Sequence, residues 1–380
     1  MFLYLSQGYK IEDHPGHHDA LMRLREEGEI GDFINLPYLG YAKEHGYDEL
    51  WHEILTLCET HPITVVYFQY FHHPRNQDPR DCMEKLRGLP SHPTLVSSSG
   101  DGLSVGWLLP YYPASFKQCA SVSDLVFSTQ MGPASEAIQS WGAKYVILLP
   151  NSMCQVRFFS TAIDLPSHQF DFDVSFIGSR NTGRLPISRN FWLGRERSEL
   201  VRRLDQRYGK RLGLFGHGWN GLPSWQGPTA FKDIQNTFRR GRVCVDANPY
   251  SQYDYYSSNR PFFAIASGVP TVMLSVPRLD TILKPDWHCY YAHDVSSVIA
   301  QCDRLLNSDP AGLYKQSAQA AQDISRRHTQ YHRMKFLVQT CKKYQNNGGT
   351  LSPQSLEFPY FADSVNIENE FPHCFLSGHK

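Results

Sequence analysis

The residues best suited to chemistry lie in one stretch, residues 256–270, which is typical of a polar loop, a short buried helix and the start of a strand. Arg260 falls near the N-terminus of that helix, and Gly268 follows the helix. A guanidinium there adds to the unpaired N–H groups and the positive dipole end of the helix. This arrangement favours an anion such as a diphosphate. The preceding loop offers further candidates for the same ligand, namely Tyr256, Ser258 and Asn259.

A glycine-containing turn follows the predicted strand 172–177. Gly178 and Ser179 open this turn, and glycine lets a backbone approach a phosphate closely. One of three arginines that follow would neutralise the phosphate. A plain turn between a strand and a helix explains the same residues equally well. The arginines are Arg180, Arg184 and Arg189.

A second turn, residues 216–219, follows the predicted strand 211–215. Gly216 and Gly218 permit backbone contact with a ligand, and His217 is a hydrogen-bonding candidate for a phosphate or a sugar. Trp219 is interpreted either as a ring that packs under a base or as an ordinary core residue.

The predicted strand 243–246 ends in Asp246 and runs into a stretch rich in tyrosine, including Tyr253, Tyr255 and Tyr256. Tyrosines at a strand end suit a base or sugar pocket, or else cover the interface between two domains. Both interpretations stay open from the sequence.

Two polar clusters in the first half of the chain also follow predicted strands. Residues 12–19 and 72–78 are rich in His and Asp, and both loops are expected to face a cleft. A general base that takes a proton from an acceptor hydroxyl is commonly His or a carboxylate. Surface loops of no catalytic role explain the same residues, and their spacing does not favour a metal site. The candidates for the base are Asp13, His14, His18, His73 and Asp78.

The elements that must position these residues alternate between strands and helices in both halves of the chain, which predicts an α/β fold with parallel sheets. The first half ends near residue 150, and residues 151–170 lack periodicity and are interpreted as a linker. We therefore predict an N-terminal domain at residues 1–155, a C-terminal domain at 156–345 and a tail at 346–380 that packs back on the first domain. The predicted strands are 2–5, 33–36, 64–68, 94–97, 125–128, 145–149, 172–177, 211–215, 243–246, 269–274 and 289–291. The predicted helices are 18–27, 48–59, 80–86, 134–141, 194–207, 229–239, 261–267, 294–306, 311–327 and 330–344.

Composition narrows the class of protein. The 380 residues are 41% hydrophobic and 19% charged, as in a chain with buried cores, and contain no apolar run of the roughly 20 residues that cross a membrane. Residues 1–150 hold 10 Lys/Arg and 18 Asp/Glu, a net charge of −8, which the rest of the chain balances. The basic second half suits an anionic ligand, and the acidic first half disfavours a nucleic-acid backbone. Nine scattered Cys without a CxxC pair suggest the reducing cytoplasm.

Three motifs of the second half resemble the CgeB-like (spore maturation protein) group of GT-B glycosyltransferases. Residues 258–268 resemble its Ser-x-Arg-x-Phe-Glu-x-x-Ala-x-Gly run, with Phe263 in place of the Glu, and residues 214–219 resemble its Gly-x-Gly-Trp turn. Residues 328–333 resemble its His-Thr-x-x-x-Arg motif, in which Thr329 is expected to cap a helix.

The resemblance implies two Rossmann-like domains that face each other across a cleft. The second domain would bind a UDP- or GDP-linked sugar as co-substrate, without a metal or another cofactor, and the first would bind the acceptor. With Phe263 in place of Glu, three alternatives are open. The donor ribose is held by Asp246, Asn259 or a backbone group, the donor binds in a different geometry, or the chain has lost donor binding. The acceptor is left open among glycan, small molecule, protein and a hydroxymethylated DNA base. An epimerase, a phosphorylase and a non-catalytic nucleotide- or carbohydrate-binding module remain alternatives.

Overall fold

The structure is a computed structural model that describes residues 1–71, 78–99, 104–105, 110–111, 113–180, 189–248 and 253–378. For residues 104, 105, 110, 111 and 189–193 only the backbone is described. The chain forms two α/β domains, each built on its own sheet, as predicted.

The first domain contains a seven-stranded sheet in the order β15-β8-β7-β4-β3-β1-β2. Its strands are parallel except β15, which pairs antiparallel with β8. Alternate residues of β1 face opposite sides, so Leu3 and Leu5 enter one buried cluster while Phe2 and Tyr4 enter another. The strands up to the linker are β1 Phe2–Ser6, β2 Phe33–Pro37, β3 Val65–Gln69, β4 Thr94–Ser99, the hairpin β5 Ser104–Val105 and β6 Pro110–Tyr111, β7 Leu125–Ser128 and β8 Tyr145–Leu148.

The second domain contains a six-stranded parallel sheet in the order β11-β10-β9-β12-β13-β14. All carboxyl ends of these strands therefore meet at one edge, where α/β sheets bind ligands. The strands are β9 Phe172–Ile177, β10 Leu212–Phe215, β11 Trp225–Gly227, β12 Gly241–Asp246, β13 Thr271–Leu274, β14 Tyr290–Ala292 and, back in the first sheet, β15 Phe375–Ser377.

Helices cover both sheets, and local chemistry sets several of their ends. Asp294 accepts the N–H of Ser297 at 2.7 Å and begins α10, and Asp309 accepts from Gly312 at 2.8 Å and begins α11. The helices are α1 Pro15–Glu26, α2 Tyr38–His45, α3 Tyr47–Thr60, α4 Arg80–Arg87, α5 Ala114–Val122, α6 Pro133–Ser140, α7 Arg189–Tyr208, α8 Ile234–Phe238, α9 Arg260–Ala266, α10 Val295–Leu306, α11 Pro310–Arg327, α12 Gln330–Asn346 and α13 Ile367–Cys374. None of the helices in the described part of the chain is both long and apolar enough to span a membrane.

From α12 onward the chain returns to the first domain. Helix α12, which the sequence places with the second domain, packs along α1: Lys335 Nζ lies 2.9 Å from Glu27 and Lys342 Nζ 2.8 Å from Glu29. After α12 the chain contacts both domains: Tyr360 donates to Leu148 O at 2.6 Å in the first, and the N–H of Ala362 donates to Thr281 O at 2.8 Å in the second. Strand β15 then joins the first sheet. Buried side chains of both sheets consequently belong to one continuous apolar cluster.

The sequence missed the small or late elements α2, α5, α13, β5, β6, β11 and β15. The predicted helix 229–239 is a 3-10 turn, Phe231–Asp233, followed by the short α8. All nine cysteines carry free thiols.

Candidate active site

Arg260 lies across the carboxyl ends of two neighbouring strands of the second sheet. Its Nε is 3.3 Å from Asp246 Oδ1 at the end of β12, and its Nη2 donates to Ala247 O at 3.2 Å. Its Nη1 is 3.5 Å from Ile177 O, and a Cβ on Gly178 would stand 2.6 Å from that nitrogen. Gly178 is therefore needed for the guanidinium to pack here. The Arg260 side chain is 18% exposed, so part of it remains accessible to a ligand.

The turns after β9 and β10 pack directly against each other. Gly216 has φ +131°, and a Cβ on it would come within 2.4 Å of Gly178 O. Trp219 Nε1 donates to the same Gly178 O at 2.6 Å, and the Trp219 residue is 2% exposed. Trp219 is thus a core residue that holds the two turns together, and its ring is not available to pack under a base.

Two exposed residues stand beside these turns at the carboxyl edge of the sheet. The N–H of Arg180 donates to His217 O at 2.8 Å, and the N–H of His217 donates to Ser179 Oγ at 3.4 Å. Gly218, also exposed, has φ +84°, which its lack of a side chain permits. The structure therefore brings a second cation, Arg180, to the edge that Arg260 occupies. Arg184 lies outside the described residues, and only the backbone of Arg189 is described.

The loop before α9 contains three predicted donor-binding residues, of which Asn259 is exposed. Tyr256 is 1% exposed and belongs to the core, and the N–H of Ser258 donates to Asn248 Oδ1 at 2.9 Å. Asn259 is exposed, and its Oδ1 accepts from the N–H of Ser152 at 3.3 Å, which orients its NH₂ group as a donor. The Asp246 side chain is 2% exposed and pairs with Arg260, so it does not face a ribose hydroxyl.

Phe263 occupies the position at which the resembled group carries Glu, and it is buried in an aromatic cluster. Its ring stacks on Phe158 of the linker at a centroid distance of 4.2 Å and meets Phe231 edge-on at 5.9 Å. Phe263 is 3% exposed. The linker therefore fills the space that a polar residue of α9 would use, and an apolar side chain follows from that packing.

Gly268 lies at the opposite end of α9 from Arg260, at the amino edge of the sheet. It has φ +75°, and a Cβ on it would stand 2.3 Å from Thr161 O of the linker. The prediction that Gly268 contacts the donor is therefore wrong, because Gly268 lies at the other end of α9. Gly268 ends α9 and leaves room for the linker to pass close to its backbone.

Two carboxylates proposed as bases are engaged with their own loops. Asp13 Oδ2 accepts the N–H of Tyr9 at 2.7 Å and of Lys10 at 3.2 Å, and the Tyr9 bond lowers the pKa of the Asp13 carboxyl. Asp78 accepts from Arg80 Nε at 2.8 Å. Both carboxylates therefore hold local turns, and neither is placed by these contacts to act on an acceptor. His73 lies outside the described residues.

His14 precedes α1 and has the geometry of a neutral base. Its Nε2 is 2.5 Å from Gln7 O, so this nitrogen carries the proton and Nδ1 keeps the lone pair. Partial burial lowers the pKa of His14, which keeps the imidazole neutral near pH 7. His18 packs edge-on against Phe33 at 5.6 Å, and its Nδ1 lies 3.4 Å from Asn35 Nδ2.

His17 also belongs to this cluster, although the sequence analysis did not predict it as a base. Its Nδ1 is 3.3 Å from Gln69 Nε2, and its ring meets Tyr4 edge-on at 5.9 Å. Desolvation lowers the pKa of His17 to about 3. His17 stands on the helical face that also carries Leu21 and Leu24, a spacing of four and seven residues that marks it as an inward residue in the sequence.

The linker brings the histidine cluster and the Arg260 site together. Asn151 Nδ2 donates to Ser257 O at 2.7 Å just before α9. A few residues later, Gln155 Nε2 donates to Gly16 O at 2.7 Å and Arg157 Nη2 to Glu12 O at 2.7 Å. The loop before α1 and the loop before α9 therefore flank the same short segment.

The His-Thr-x-x-x-Arg motif forms the second crossing between the domains. The N–H of Met153 donates to His328 O at 2.8 Å, and Thr329 precedes α12 with its Oγ1 2.7 Å from His332 Nδ1. Arg333, 3% exposed, donates from Nε to Pro150 O at 2.8 Å. These contacts tie the linker to the start of α12. Within the described residues no group of three or more His, Cys, Asp or Glu could hold a metal ion.

Comparisons with known proteins define the class of fold. The chain is similar to the crystal structure of a glycosyltransferase from Rickettsia africae, with a TM-score of 0.58, 10% identity and coverage of 91% of this chain and 98% of the other. It is also similar to Anabaena HepE in complex with UDP-glucose, with a TM-score of 0.55, 11% identity and coverage of 91% and 99%. The fold is therefore that of the two-domain GT-B glycosyltransferases.

Part of the sequence of the second domain matches a known protein family. Residues 195–339, less than half of the chain, match the family described as glycosyl transferase-like. The matched segment contains β10, β12 and α9, and hence the turn at Gly216 and the Arg260 site. No curated protein sequence matches the chain.

Proposed function

We propose that the protein is a glycosyltransferase that moves a sugar from a nucleotide-diphosphate donor to an acceptor hydroxyl in the cleft between its domains. The observation that carries this proposal is the Arg260 guanidinium, packed on Gly178 at the carboxyl edge of a glycosyl transferase-like domain. The likeness to Anabaena HepE, whose structure contains UDP-glucose, supports the choice of donor class through the shared fold.

In this proposal the donor diphosphate lies between Arg260 and Arg180. Asp246 orients the Arg260 guanidinium from the buried side, and the diphosphate would meet the exposed part of the side chain. Asn259 takes over the ribose contact for which Phe263 is unsuited, because its NH₂ group is exposed at the start of α9. His217 is the remaining exposed donor at this edge.

The first domain supplies the acceptor site. The acceptor oxygen attacks the anomeric carbon of the sugar, the bond from that carbon to the diphosphate oxygen breaks, and the nucleoside diphosphate leaves. We assign the proton of the acceptor hydroxyl to His14 Nδ1, because Gln7 O holds the other ring nitrogen in its protonated form.

Calorimetric titration with UDP, GDP and their hexose conjugates tests the donor site directly. Wild-type protein should bind at least one of these ligands, and Arg260→Gln should weaken that binding. A His14→Gln variant should bind the donor normally but transfer the sugar about 10²–10⁴-fold more slowly. Failure of every nucleotide to bind the wild-type protein would overturn the proposal, and normal turnover in His14→Gln would remove His14 from it.

A further inference from the structure

A cavity of about 460 Å³ opens on the second domain, and Arg260 is not among the residues that line it. Its walls are the segment between β13 and β14, the C-terminal half of α11 and residues 362–364 of the returning chain. This volume lies within the range of about 300–1,000 Å³ typical of sites for small molecules. Nothing in the proposed transfer reaction uses this cavity.

The charges of the cavity are unevenly paired. Arg327 Nη1 lies 3.0 Å from Asp363 Oδ1, and His288 Nε2 lies 2.8 Å from Asp323 Oδ2, so both acids of the wall have partners. Lys284 and Arg326 also line the cavity, and across the described chain neither has a carboxylate within 4.0 Å. Among the described residues, the cavity therefore holds two cations that form no close ion pair.

The remaining wall suits a polar organic body. Gln319, Gln322 and Arg326 stand three to four residues apart on α11, which places them on one face of the helix. Trp287 adds a partly exposed ring from the facing segment. Amide groups bind hydroxyls, and an indole ring packs against a sugar or a base.

We propose that this cavity binds a small phosphate-bearing organic molecule, with the phosphate between Lys284 and Arg326 and the organic part against Gln319, Gln322 and Trp287. A hexose phosphate and a nucleoside monophosphate share this chemistry. The proposal goes beyond the transfer reaction and does not depend on it.

The residues around the cavity indicate how a bound molecule would affect the two domains. The ring of His328 in its wall lies 5.6 Å from Phe262 of α9, the helix that begins with Arg260. The N–H of Ala362 donates to Thr281 O at 2.8 Å, and from there the chain continues to β15 in the first sheet. An occupant therefore contacts both the second domain and the segment that leads back to the first, and is expected to hold the domains in one arrangement.

Calorimetry on the full chain tests the proposal, with inorganic phosphate, a hexose 6-phosphate and a nucleoside monophosphate titrated separately. We expect saturable binding of one organic phosphate, tighter than that of inorganic phosphate. The double variant K284Q/R326Q should weaken it by at least about tenfold, since each cation supplies a charge-assisted hydrogen bond. Lys315→Gln is the matched control, because Lys315 is an exposed cation of α11 outside the cavity wall.

Three results would overturn the inference: no saturable binding of any of the three ligands, equal affinity for inorganic phosphate and the organic phosphates, or unchanged binding by K284Q/R326Q. Trp287→Leu, which keeps both cations, should weaken binding of the organic phosphates but not of inorganic phosphate. The double variant D246N/R260Q, which leaves no buried carboxylate unpaired, separates this site from the donor site. Binding of the organic phosphate should persist in this variant, and its loss from the folded variant would contradict the proposal.

Discussion

Replacement of Arg260 by Gln tests how one side chain serves both stability and donor binding. The change leaves the Asp246 carboxylate, 2% exposed, without the cation 3.3 Å away. Removal of one partner from a buried ion pair destabilises a protein by about 3–5 kcal/mol. The same change removes at least one charge-assisted hydrogen bond to the donor diphosphate, worth about 1.5–3 kcal/mol, or about 10- to 150-fold in affinity.

The double variant D246N/R260Q separates these two effects. With both charges gone, no buried carboxylate is left unpaired, so most of the lost stability should return while donor binding stays weak. Urea denaturation measures the stability, and calorimetry with UDP- and GDP-linked sugars measures the affinity. Equal stability of R260Q and wild type would refute the buried pair. Donor affinity of D246N/R260Q equal to that of wild type would refute the role of Arg260 in binding the diphosphate.

Three further predictions concern stability. Gly268→Ala should lower the free energy of unfolding by more than about 1 kcal/mol, because a Cβ meets Thr161 O at 2.3 Å and φ is +75°; an unchanged urea midpoint would contradict this. His17 takes up a proton near pH 6.5 when unfolded but only near its lowered pKa of about 3 when folded, so its contribution to stability falls as the pH drops below about 6.5. His17→Gln should therefore lose less stability between pH 6.5 and 4 than wild type, and equal losses would argue against a neutral His17. Phe263→Glu places a carboxyl between Phe158 and Phe231 and should destabilise the protein more at pH 7 than at pH 4, where the group is protonated; a pH-independent effect in urea denaturation would contradict that.

Much of the fold could be predicted because its signals are local. The strand at residues 172–177 is a short apolar run bounded by turn residues, and the structure has β9 with the same bounds. The alternation of such runs with helices was sufficient to predict two parallel sheets, and the chain indeed contains them. The position of Arg260 could be predicted because a polar loop followed by an apolar run is also a local signal. Arg260 is the first residue of α9.

What the sequence could not reveal depends on contacts between distant residues. Strand β15 has only three residues, too few for a recognisable pattern. It forms because it pairs with the edge of β8, more than 200 positions earlier in the chain. The roles of Trp219 and Gly268 follow from neighbours in other segments, Gly178 O and Thr161 O. Phe263 was recognised as a departure from the resembled pattern, but the ring of Phe158 that explains it lies about 100 positions away.

The most direct test of sugar transfer from a donor bound at Arg260 is to measure the release of free UDP or GDP from a set of nucleotide sugars. Wild-type protein should release the nucleoside diphosphate from at least one donor, by transfer or by slow hydrolysis, and D246N/R260Q, folded by its urea midpoint, should release far less. Either of two results would contradict a donor site at Arg260: no free nucleoside diphosphate from any donor with wild-type protein, or release by D246N/R260Q as fast as by wild type.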